Sequence, residues 1–412
     1  ASDVYKRQRL HYVYDQRYLI TATVRRDGYS AFGLANPRAT FPAVALGWVF
    51  SEEKWLNMPE WFEYGKLRLS WGKNGNRAVD TYAAFMQLSP RKYLYVDPAT
   101  GKLITINTFY AMTMANPNLK WESTVSWNAG LDFTLLKGRL NGSLDVYKKI
   151  TKDLLVTREL PNLIGYSTVM SNIGEVQNHG VELSLNSTNI KMKNLTWRTA
   201  FSFAYNKNKI THLYGIMEDI KDEAGNVIDV TTTTDWSSAT RYALGGNIMP
   251  KVYGGFGSQF KYKGIDLAVT FSYQLGGHLY DSRYATLMHN GTEGVGQNWH
   301  RDILNAWTPE HTNTDIPRLV YTAQGSMATS TSDRFITSSN YLSLQNITLG
   351  YTLPKSWTRK LLMESVRIYG VADNLALWAK RKGLDPRMGL QTTSDYTYSL
   401  IRSISGGVTV TF

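Results

Sequence analysis

The sequence predicts an all-β protein, specifically an antiparallel up-and-down transmembrane β-barrel. Three observations lead to this fold class. Many segments alternate apolar and polar residues with a period of two, short and long connections alternate along the chain, and the chain ends on a two-faced strand. No segment approaches the 18 or so consecutive apolar residues of a membrane-spanning helix. Strands are therefore predicted to form the membrane-facing surface.

The composition agrees with many strands joined by polar loops. Tyr (26), Phe (14) and Trp (12) are abundant, whereas charged residues make up only 19% of the 412 residues. Aromatic residues favour strands. No cysteine is present, so no disulfide or thiolate metal site is predicted. The net charge of +12 would suit nucleic acid, but Lys and Arg are spread along the chain and gather at turns. We interpret them as a solvated basic rim and expect no nucleic-acid partner.

The stretch "GIDLAVTFSYQL" shows the period of two most clearly. Leu267, Val269 and Phe271 fall on one face, and Asp266 and Thr270 fall on the other. This alternation is typical of a strand with one apolar and one polar face. It recurs in "VSWNAGLDFTL", "RLNGSLDVY", "GVELSLN" and "WRTAFSFAY". In "YLSLQNITLGY" the apolar set changes phase midway, which predicts a β-bulge.

The pattern predicts about thirteen long strands, most of them long enough to cross a bilayer at a tilt, which takes roughly 9–11 residues. The first strand is expected to be short or truncated. An open sheet of so many twisted strands would curl, and closure into a barrel removes its edges. The predicted strands lie near residues 9–14, 17–26, 40–50, 65–73, 120–135, 139–156, 178–190, 195–208, 250–261, 265–275, 337–352, 365–376 and 400–411.

The predicted connections alternate in length. Tight turns are expected at Asp15–Gln16, in "LKG" and in "KYKG", and two somewhat longer connections carry possible short helices. An up-and-down barrel shows this alternation when one end has short turns and the other end carries long functional loops. The long connections are predicted near residues 27–39, 74–119, 157–177, 209–249, 276–336 and 377–399.

The chain ends in "SGGVTVTF". Val408, Val410 and Phe412 share one strand face, and Thr409 and Thr411 share the other. We expect the two valines to face lipid and Phe412 to lie in the aromatic girdle of the barrel. A terminal aromatic residue on the last strand resembles the signal read by the barrel-assembly machinery of the outer membrane.

A soluble sandwich, propeller or large carbohydrate-binding β-domain is the alternative that the strand pattern leaves open. Long loops on one side only are unusual in sandwiches. Aromatic residues also gather at the predicted strand ends, as in the girdles of membrane barrels. The residues concerned are Tyr12, Tyr14, Tyr18, Trp48, Phe50, Trp61, Phe62, Tyr351, Trp357 and Phe412.

Several stretches resemble the barrel segments of SusC/RagA-type TonB-dependent transporters, which are outer-membrane proteins typical of Bacteroidetes. The stretches are "RYLITATVRRDGYSAFG", "TFPAVALGWVFSEEKW", "GKLRLSWGKNGN", "NPNLKWESTVSWNAGLDF", "GYSTVMSNIGEVQNHGVELSL", "WTPEHTNTDIPRL" and "DNLALWAK". They occur in the order expected of the family, from about residue 9 to residue 412.

The resemblance implies a 22-stranded barrel plugged by an N-terminal domain, in agreement with the strand number of plugged outer-membrane transporters. Residues 9–412 are then the C-terminal part of the barrel and supply its last thirteen or so strands. The plug, the TonB box, a signal peptide and about nine strands are not recognised in this chain. Residues 1–8, "ASDVYKRQ", resemble a translated cloning scar rather than native sequence.

The resemblance also implies a function. The family imports oligosaccharides, or sometimes peptides, with a SusD-like surface lipoprotein over the mouth of the barrel. The TonB–ExbB–ExbD complex drives import through the N-terminal part that is missing here. The expected surroundings are outer-membrane lipid, and neither a cofactor nor enzyme activity is expected. A siderophore receptor, a porin or a soluble β-rich carbohydrate-binding module remain the alternatives.

The longest predicted loop, 276–336, is the best candidate for ligand binding. Its aromatic residues stand among amide and carboxylate side chains, a mixture that suits the C–H faces and hydroxyl groups of sugars. The alternative is that they pack the loop or touch the lipoprotein. The candidates are Tyr280, Trp299, Trp307 and Tyr321, together with Trp236 and Tyr242 from the loop 209–249.

Metal binding and catalysis find little support. His289, His300 and His311 are spaced by 11 residues, which fits neither a helical pair nor a short metal motif. No G-x-S-x-G nucleophile motif occurs. The sequence therefore predicts no metal site and no catalytic residue.

Overall fold

A computed structural model describes residues 3–32, 35–160, 162–212, 247–291, 296–320, 330–388 and 399–412. A sheet of thirteen strands dominates it, and neighbours in the sheet follow one another along the chain. No helix in these ranges is long and apolar enough to cross a membrane. The strands are β1 (Asp3–Tyr14), β2 (Tyr18–Tyr29), β3 (Arg38–Trp48), β4 (Phe62–Asn76), β7 (Glu122–Leu135), β8 (Leu140–Lys152), β11 (Glu175–Lys191), β12 (Leu195–His212), β13 (Val252–Tyr262), β14 (Ile265–Leu275), β17 (Tyr341–Thr352), β18 (Ser365–Ala379) and β19 (Ser403–Thr411).

The thirteen strands predicted from the sequence are confirmed, and so is the alternation of short and long connections. Several strand bounds differ by a few residues from those predicted, and the first strand differs most. The first strand is not short: it begins at Asp3 and has 12 residues. Residues Asp3 to Gln8 pair with β2 through their backbones. Because residues 1–8 resemble a cloning scar, they were set aside at the sequence level, and the predicted start of this strand was therefore near residue 9.

The chain divides into two compact units. The first contains the described residues up to Leu183 and the end of β12 from Asn206 onward, and the second contains Ser184–Tyr205 and the described residues beyond 246. From β1 to β8, each sheet strand is antiparallel to its neighbour in the sheet. The same holds from β12 to β19.

In each unit, the strand register aligns apolar residues on one face of the sheet. Leu46 of β3 is opposite Leu69 of β4 in the first unit, and Leu267 of β14 is opposite Leu349 of β17 in the second. Leu46, Leu69 and Leu349 remain exposed to the surroundings. A sheet face that is apolar and exposed is what a lipid-facing barrel wall requires.

The predicted β-bulge is also confirmed. The pairing of β17 with β18 shifts between Leu344 and Asn346, and it leaves out Gln345 on β17 and two residues on β18. On the other neighbour, the register shifts between Thr270 and Phe271. The Gln345 side chain donates a hydrogen bond to Ser272 Oγ at 2.8 Å. A residue inserted in this way moves every later side chain to the other face, which explains the phase change in the sequence.

The tight turns form where they were predicted. Asp15 and Gln16 have φ values of 47° and 52°, and Lys263 and Gly264 have 45° and 90°. Two successive residues with positive φ form the type I′ turn, whose twist matches that of the paired strands. Glycine is well suited to the second position because it has no Cβ.

The polar face of the first unit carries a three-residue ion cluster. Arg68 Nε in β4 lies 2.8 Å from Asp132 Oδ2 in β7, and its Nη2 lies 2.9 Å from Asp145 Oδ2 in β8. Gly130 of β7 lies beneath this bridge. A Cβ at Gly130 would come within 2.6 Å of both the guanidinium carbon of Arg68 and the carboxylate of Asp145. A side chain at this position would therefore push the bridged ends of Arg68 and Asp145 aside.

The second unit repeats this arrangement. Arg367 Nη2 in β18 lies 2.6 Å from Asp266 Oδ2 in β14, across the intervening strand β17. Gly350 of β17 lies beneath the pair, and a Cβ there would lie 2.5 Å from Arg367 Nη2. In both units, a glycine on a middle strand lets an Arg–Asp pair reach across it.

Glu53 ties two short connections together. Its carboxylate lies in the connection between β3 and β4, is only 6% exposed and accepts hydrogen bonds from Tyr18 Oη, Trp48 Nε1 and Trp55 Nε1. Arg17, from the turn between β1 and β2, pairs with it at 2.9 Å. The Tyr18 hydrogen bond, supported by the two indoles and by Arg17, holds the pKa of Glu53 below its ordinary value.

Two small sheets lie in the long connections, where the sequence predicted only loops. The first has the order β5 (Gln87–Val96), β6 (Leu103–Met114), β10 (Thr168–Asn172), β9 (Leu155–Glu159), and the second pairs β15 (His278–Tyr280) with β16 (Ile336–Ser338). Both faces of β5 and β6 are largely exposed. They show no contrast between a buried and an exposed face, so alternation could not reveal them.

Buried apolar packing is concentrated in the connections. The first unit has a cluster of Phe32, Ala84, Leu119 and Trp121 from the connections, which packs on Phe41 of β3. The second has a cluster formed by the connection between β14 and β17. The loops thus have hydrophobic cores of their own and can hold side chains in fixed positions.

The Glu53 cluster makes a pH-dependent prediction. Because the pKa of Glu53 lies below its ordinary value of 4.5, its contribution to stability is complete above about pH 4.5 and is lost as the pH falls through the lowered pKa. Between about pH 5 and pH 3, the full-length protein should lose heat resistance of its folded barrel on SDS gels more steeply than Glu53→Gln. The neighbouring exposed variant Glu52→Gln should behave like wild type. Equal pH dependence in wild type and Glu53→Gln would contradict the assignment.

The glycines beneath the ion pairs make a second prediction. Gly130→Ala should lower the free energy of unfolding of the full-length barrel by about 1–3 kcal/mol, because the added methyl group displaces a pinned Arg–Asp bridge. Gly350→Ala should act in the same way. Gly370→Ala is the control, since its Cβ would meet only Ser405 O at 3.9 Å. Denaturant unfolding followed by tryptophan fluorescence measures all three, and three equal effects would refute the spatial requirement.

Candidate functional site

The candidate site lies in the second unit, where the connection between β14 and β17 meets the connection between β18 and β19. The first of these folds around an apolar cluster, with the half-buried Tyr280 and Tyr284 packed against it. It contains β15, β16, helix α1 (Ser282–Leu287) and a 3₁₀ turn at Arg301–Asn305. The cluster consists of Ala285, Met288, Ile303, Ala306, Ile316 and Phe335.

Asp281 anchors the two connections to each other. It caps α1, with Oδ1 accepting a hydrogen bond from Tyr284 N at 2.9 Å. Its Oδ2 lies 2.9 Å from Arg381 Nε in the connection after β18. Asp281 is buried, and a buried carboxylate requires such a partner. The ion pair therefore fixes one loop against the other.

Tyr284 is enclosed by charged neighbours. The Arg381 guanidinium lies 3.6 Å from the centre of its ring, and its hydroxyl donates a hydrogen bond to Asp302 at 2.9 Å. His300 packs edge-on at 4.8 Å. Burial, together with the hydrogen bond to Asp302, raises the pKa of Tyr284. The phenol therefore stays neutral and positions the groups around it.

A second ion pair fixes the connection after β18. Arg387 donates to Asp385 through Nε at 2.9 Å and through Nη2 at 2.6 Å, and its Nη1 donates to Ser343 of β17 at 2.7 Å and to Asn374 of β18 at 3.3 Å. Burial opposes ionisation of Asp385, but the hydrogen bonds from Arg387 outweigh it and hold the pKa of Asp385 below its ordinary value. We call this pair the Arg387 clamp, because Arg387 binds Asp385 through two nitrogens and also holds the connection against β17 and β18.

These groups surround a cavity of about 400 Å³. This size lies within the range of small-molecule sites. The lining contains positively charged, negatively charged and neutral polar side chains. It can therefore both donate hydrogen bonds to a polar ligand and accept them from it. Residues that line it include Tyr284, His300, Arg381, Lys382, Asp385 and Ser399.

The structure describes three of the six aromatic residues predicted to contact ligand. Tyr280 packs against the loop core, with Phe335 at 6.1 Å. Trp299 is 52% exposed. Trp307 is half-buried, and its backbone N donates to Ile316 O at 2.9 Å. None of the three is among the described residues that line the cavity. Tyr321, Trp236 and Tyr242 lie outside the described residues.

The charged residues around the cavity were missed at the sequence level. "WAKRKG" was interpreted as a basic turn, and Asp281 and Arg381 are 100 positions apart in the chain. Only the short spacing of Asp385 and Arg387 could have suggested an ion pair. Across the described ranges, no three His, Asp or Glu side chains lie close enough together to hold a metal ion.

Comparison with known proteins identifies the family. A family profile described as "TonB dependent receptor-like, beta-barrel" matches residues 7–375. The chain belongs to this family. It is thus an outer-membrane β-barrel chain of the SusC/RagA type, as the sequence predicted. The soluble-module alternative is excluded.

The relatives define how much of such a protein is present. TonB-dependent receptor P3 of Formosa agariphila is 30% identical over 98% of this chain and 45% of its own length. TonB-dependent receptor SusC of Bacteroides thetaiotaomicron is 30% identical over 92% of this chain and 41% of its own length. A structure of the RagAB peptide importer in the open-open state superimposes with a TM-score of 0.82 at 25% identity, over 100% of this chain and 47% of that one. The chain therefore spans less than half the length of these relatives.

The Arg387 clamp makes a testable prediction. In the full-length protein, Arg387→Lys keeps the charge but loses the two-pronged geometry, and breaking a buried pair strongly favours local opening. Proteinase K should then cleave the connection after β18 about tenfold faster. Asp385→Asn should have a similar effect, and Lys382→Met, an exposed neighbour, should not. Unchanged cleavage in both clamp variants would contradict this role.

Proposed function

We propose that the full-length protein containing this chain is a TonB-dependent importer of oligosaccharides or peptides, and that it works with a SusD-like surface lipoprotein. The chain supplies wall and loops of the barrel. The TonB–ExbB–ExbD complex would act through a part of the protein outside this chain. Transport of this kind involves no chemical change of the ligand, so we propose neither enzyme activity nor a cofactor.

The observation that carries this proposal is the folded state of the loops. The connections in each unit have apolar cores, and two buried ion pairs hold those of the second unit around a polar cavity. A simple diffusion pore does not need such a site. A receptor that must capture a scarce ligand before import does, because a preorganised site loses less entropy on binding.

The relatives leave the ligand class open between two possibilities. RagAB is described as a peptide importer. The aromatic and amide residues of the loops suit sugars instead. We therefore propose that the ligand is either an oligosaccharide or a peptide.

The lipoprotein partner is supported by the hairpin β5–β6. Tyr93, Leu94 and Phe109 are exposed in this hairpin, and Phe109 reaches 69%. The hairpin lies in the long connection between β4 and β7 and belongs to the four-stranded sheet with β10 and β9, not to the sheet that forms the wall. Exposed apolar groups of this density mark a contact surface for another protein. A surface lipoprotein is the partner proposed for it.

We propose two further interactions for the wall itself. The apolar sheet face would contact outer-membrane lipid. The exposed Phe412 follows β19 directly and would be read by the barrel-assembly machinery. No nucleic-acid partner is proposed.

Gene deletion in the source bacterium tests the import function. An in-frame deletion of the gene should abolish growth on one class of polymer, either a polysaccharide or a protein digest, as the sole carbon source. Growth on monosaccharides and free amino acids should be normal, and the intact gene should restore growth. A tagged full-length protein should co-purify a lipoprotein. Normal growth of the deletion strain on every polymer would overturn the importer assignment, and purification without a lipoprotein would overturn the partner.

A further inference from the structure

We infer that Trp299 is a fixed stacking platform for a pyranose ring of an oligosaccharide ligand. This inference rests on the proposed import function and narrows its ligand class. It concerns a residue beside the cavity already described rather than one that lines it.

The Trp299 indole is held on one face and one edge. Its ring stacks on the His289 imidazole with 5.0 Å between centroids and 21° between planes. Its Nε1 donates a hydrogen bond to His289 O at 2.7 Å. Two contacts to the same residue fix both torsions of the side chain. An exposed tryptophan on a loop would otherwise sample several rotamers.

The residues beneath the indole are among the most deeply buried in the loop. Met288 is 1% exposed and His289 is 2% exposed. Asn290 Nδ2 donates to Val320 O at 2.6 Å, and Gly291 N donates to His289 Nδ1 at 3.1 Å. The platform thus rests on residues that are themselves locked by packing and hydrogen bonds.

The His289 ring is unusual in its hydrogen bonding. Its Nε2 is buried and has no hydrogen-bond partner in the described part of the chain. Leaving a buried polar atom unpaired costs free energy. The imidazole position is therefore set by its backbone neighbours and by the indole above it.

Trp299 keeps a large exposed surface that a ligand can reach. The indole remains 52% exposed, and within the described ranges no second aromatic ring stacks on it. The neighbouring aromatic residues differ, since Arg381 covers Tyr284 and Tyr280 packs against the loop core. Among these three residues, only Trp299 is exposed. Because its rotamer is already fixed, a ligand ring would bind with little loss of side-chain entropy.

The chemistry of the segment favours a sugar over a peptide. The apolar C–H face of a pyranose matches the electron-rich indole face. Gln297 and Asn298 precede Trp299 and are exposed, and amides can both donate to and accept from hydroxyl groups. Extended peptides bind mainly through main-chain hydrogen bonds along a strand edge. Residues 296–300 are not in a strand and offer no such edge.

The test is calorimetric titration of the purified full-length protein in detergent. The probes are hexasaccharides of starch, cellulose, xylan, mannan and pectin, with a tryptic digest of casein as the peptide arm. Trp299→Ala should weaken binding of the preferred hexasaccharide at least about tenfold, a change of roughly 1.4 kcal/mol. Trp299→Phe should lose less, and His289→Ala should weaken binding by freeing the indole.

Trp357→Ala is the matched control. Trp357 is also exposed, but it lies in the short helix Lys355–Thr358, in the connection between β17 and β18. Its removal should change the affinity less than twofold, about 0.4 kcal/mol. Heat resistance of the folded barrel on SDS gels confirms that each variant has folded, and Trp299→Phe keeps the test valid if the alanine variant does not fold.

The outcomes separate this inference from the import function. Wild-type affinity in both Trp299 variants would overturn the platform. Binding of casein peptides, with no binding of any hexasaccharide, would also overturn it, although peptide import would stand. If the deletion strain grows normally on every polymer while Trp299→Ala still weakens hexasaccharide binding, the platform stands and the importer assignment fails.

Discussion

Backbone hydrogen bonding in a medium without water is the constraint on which this structure depends. In lipid, an unpaired N–H or C=O group costs several kcal/mol, so every residue of a spanning segment needs a paired neighbour. Pairing in chain order meets this requirement for the strands inside the thirteen-stranded sheet. The register then decides the side-chain faces, because alternate residues point to opposite sides. The apolar face and the ion-paired face are both consequences of the pairing.

A wall built in this way has little room for a hydrophobic core of its own, since one sheet face is left for lipid. The buried apolar clusters accordingly lie in the connections. Buried charges serve the same purpose at the loop ends: Glu53 joins two short connections, and Asp281 and Asp385 fix the long ones. The loops can therefore hold a ligand-binding surface without support from a sheet core.

The polar face of the wall solves a different problem. Ion pairs between strands that are not neighbours must pass over the strand between them, and any side chain there would obstruct them. Gly130 and Gly350 remove the obstruction. Because Arg68 and Arg367 each engage a carboxylate, their charges are compensated on the partly exposed polar face. The glycine on the middle strand and the charged residues on the two flanking strands therefore depend on each other.

The sequence by itself determined the strands of the wall, the turns and the bulge, because period-two alternation and turn residues are local signals. Residues such as Leu267 and Phe271 reveal their face through their immediate neighbours. The strands β5, β6, β9, β10, β15 and β16 were not predicted, since short or fully exposed strands lack that contrast. Only tertiary structure decided which loop side chains meet. Asp281 finds Arg381 from 100 positions away, and Trp299 lies on His289, because these contacts depend on how the loops pack rather than on any local pattern.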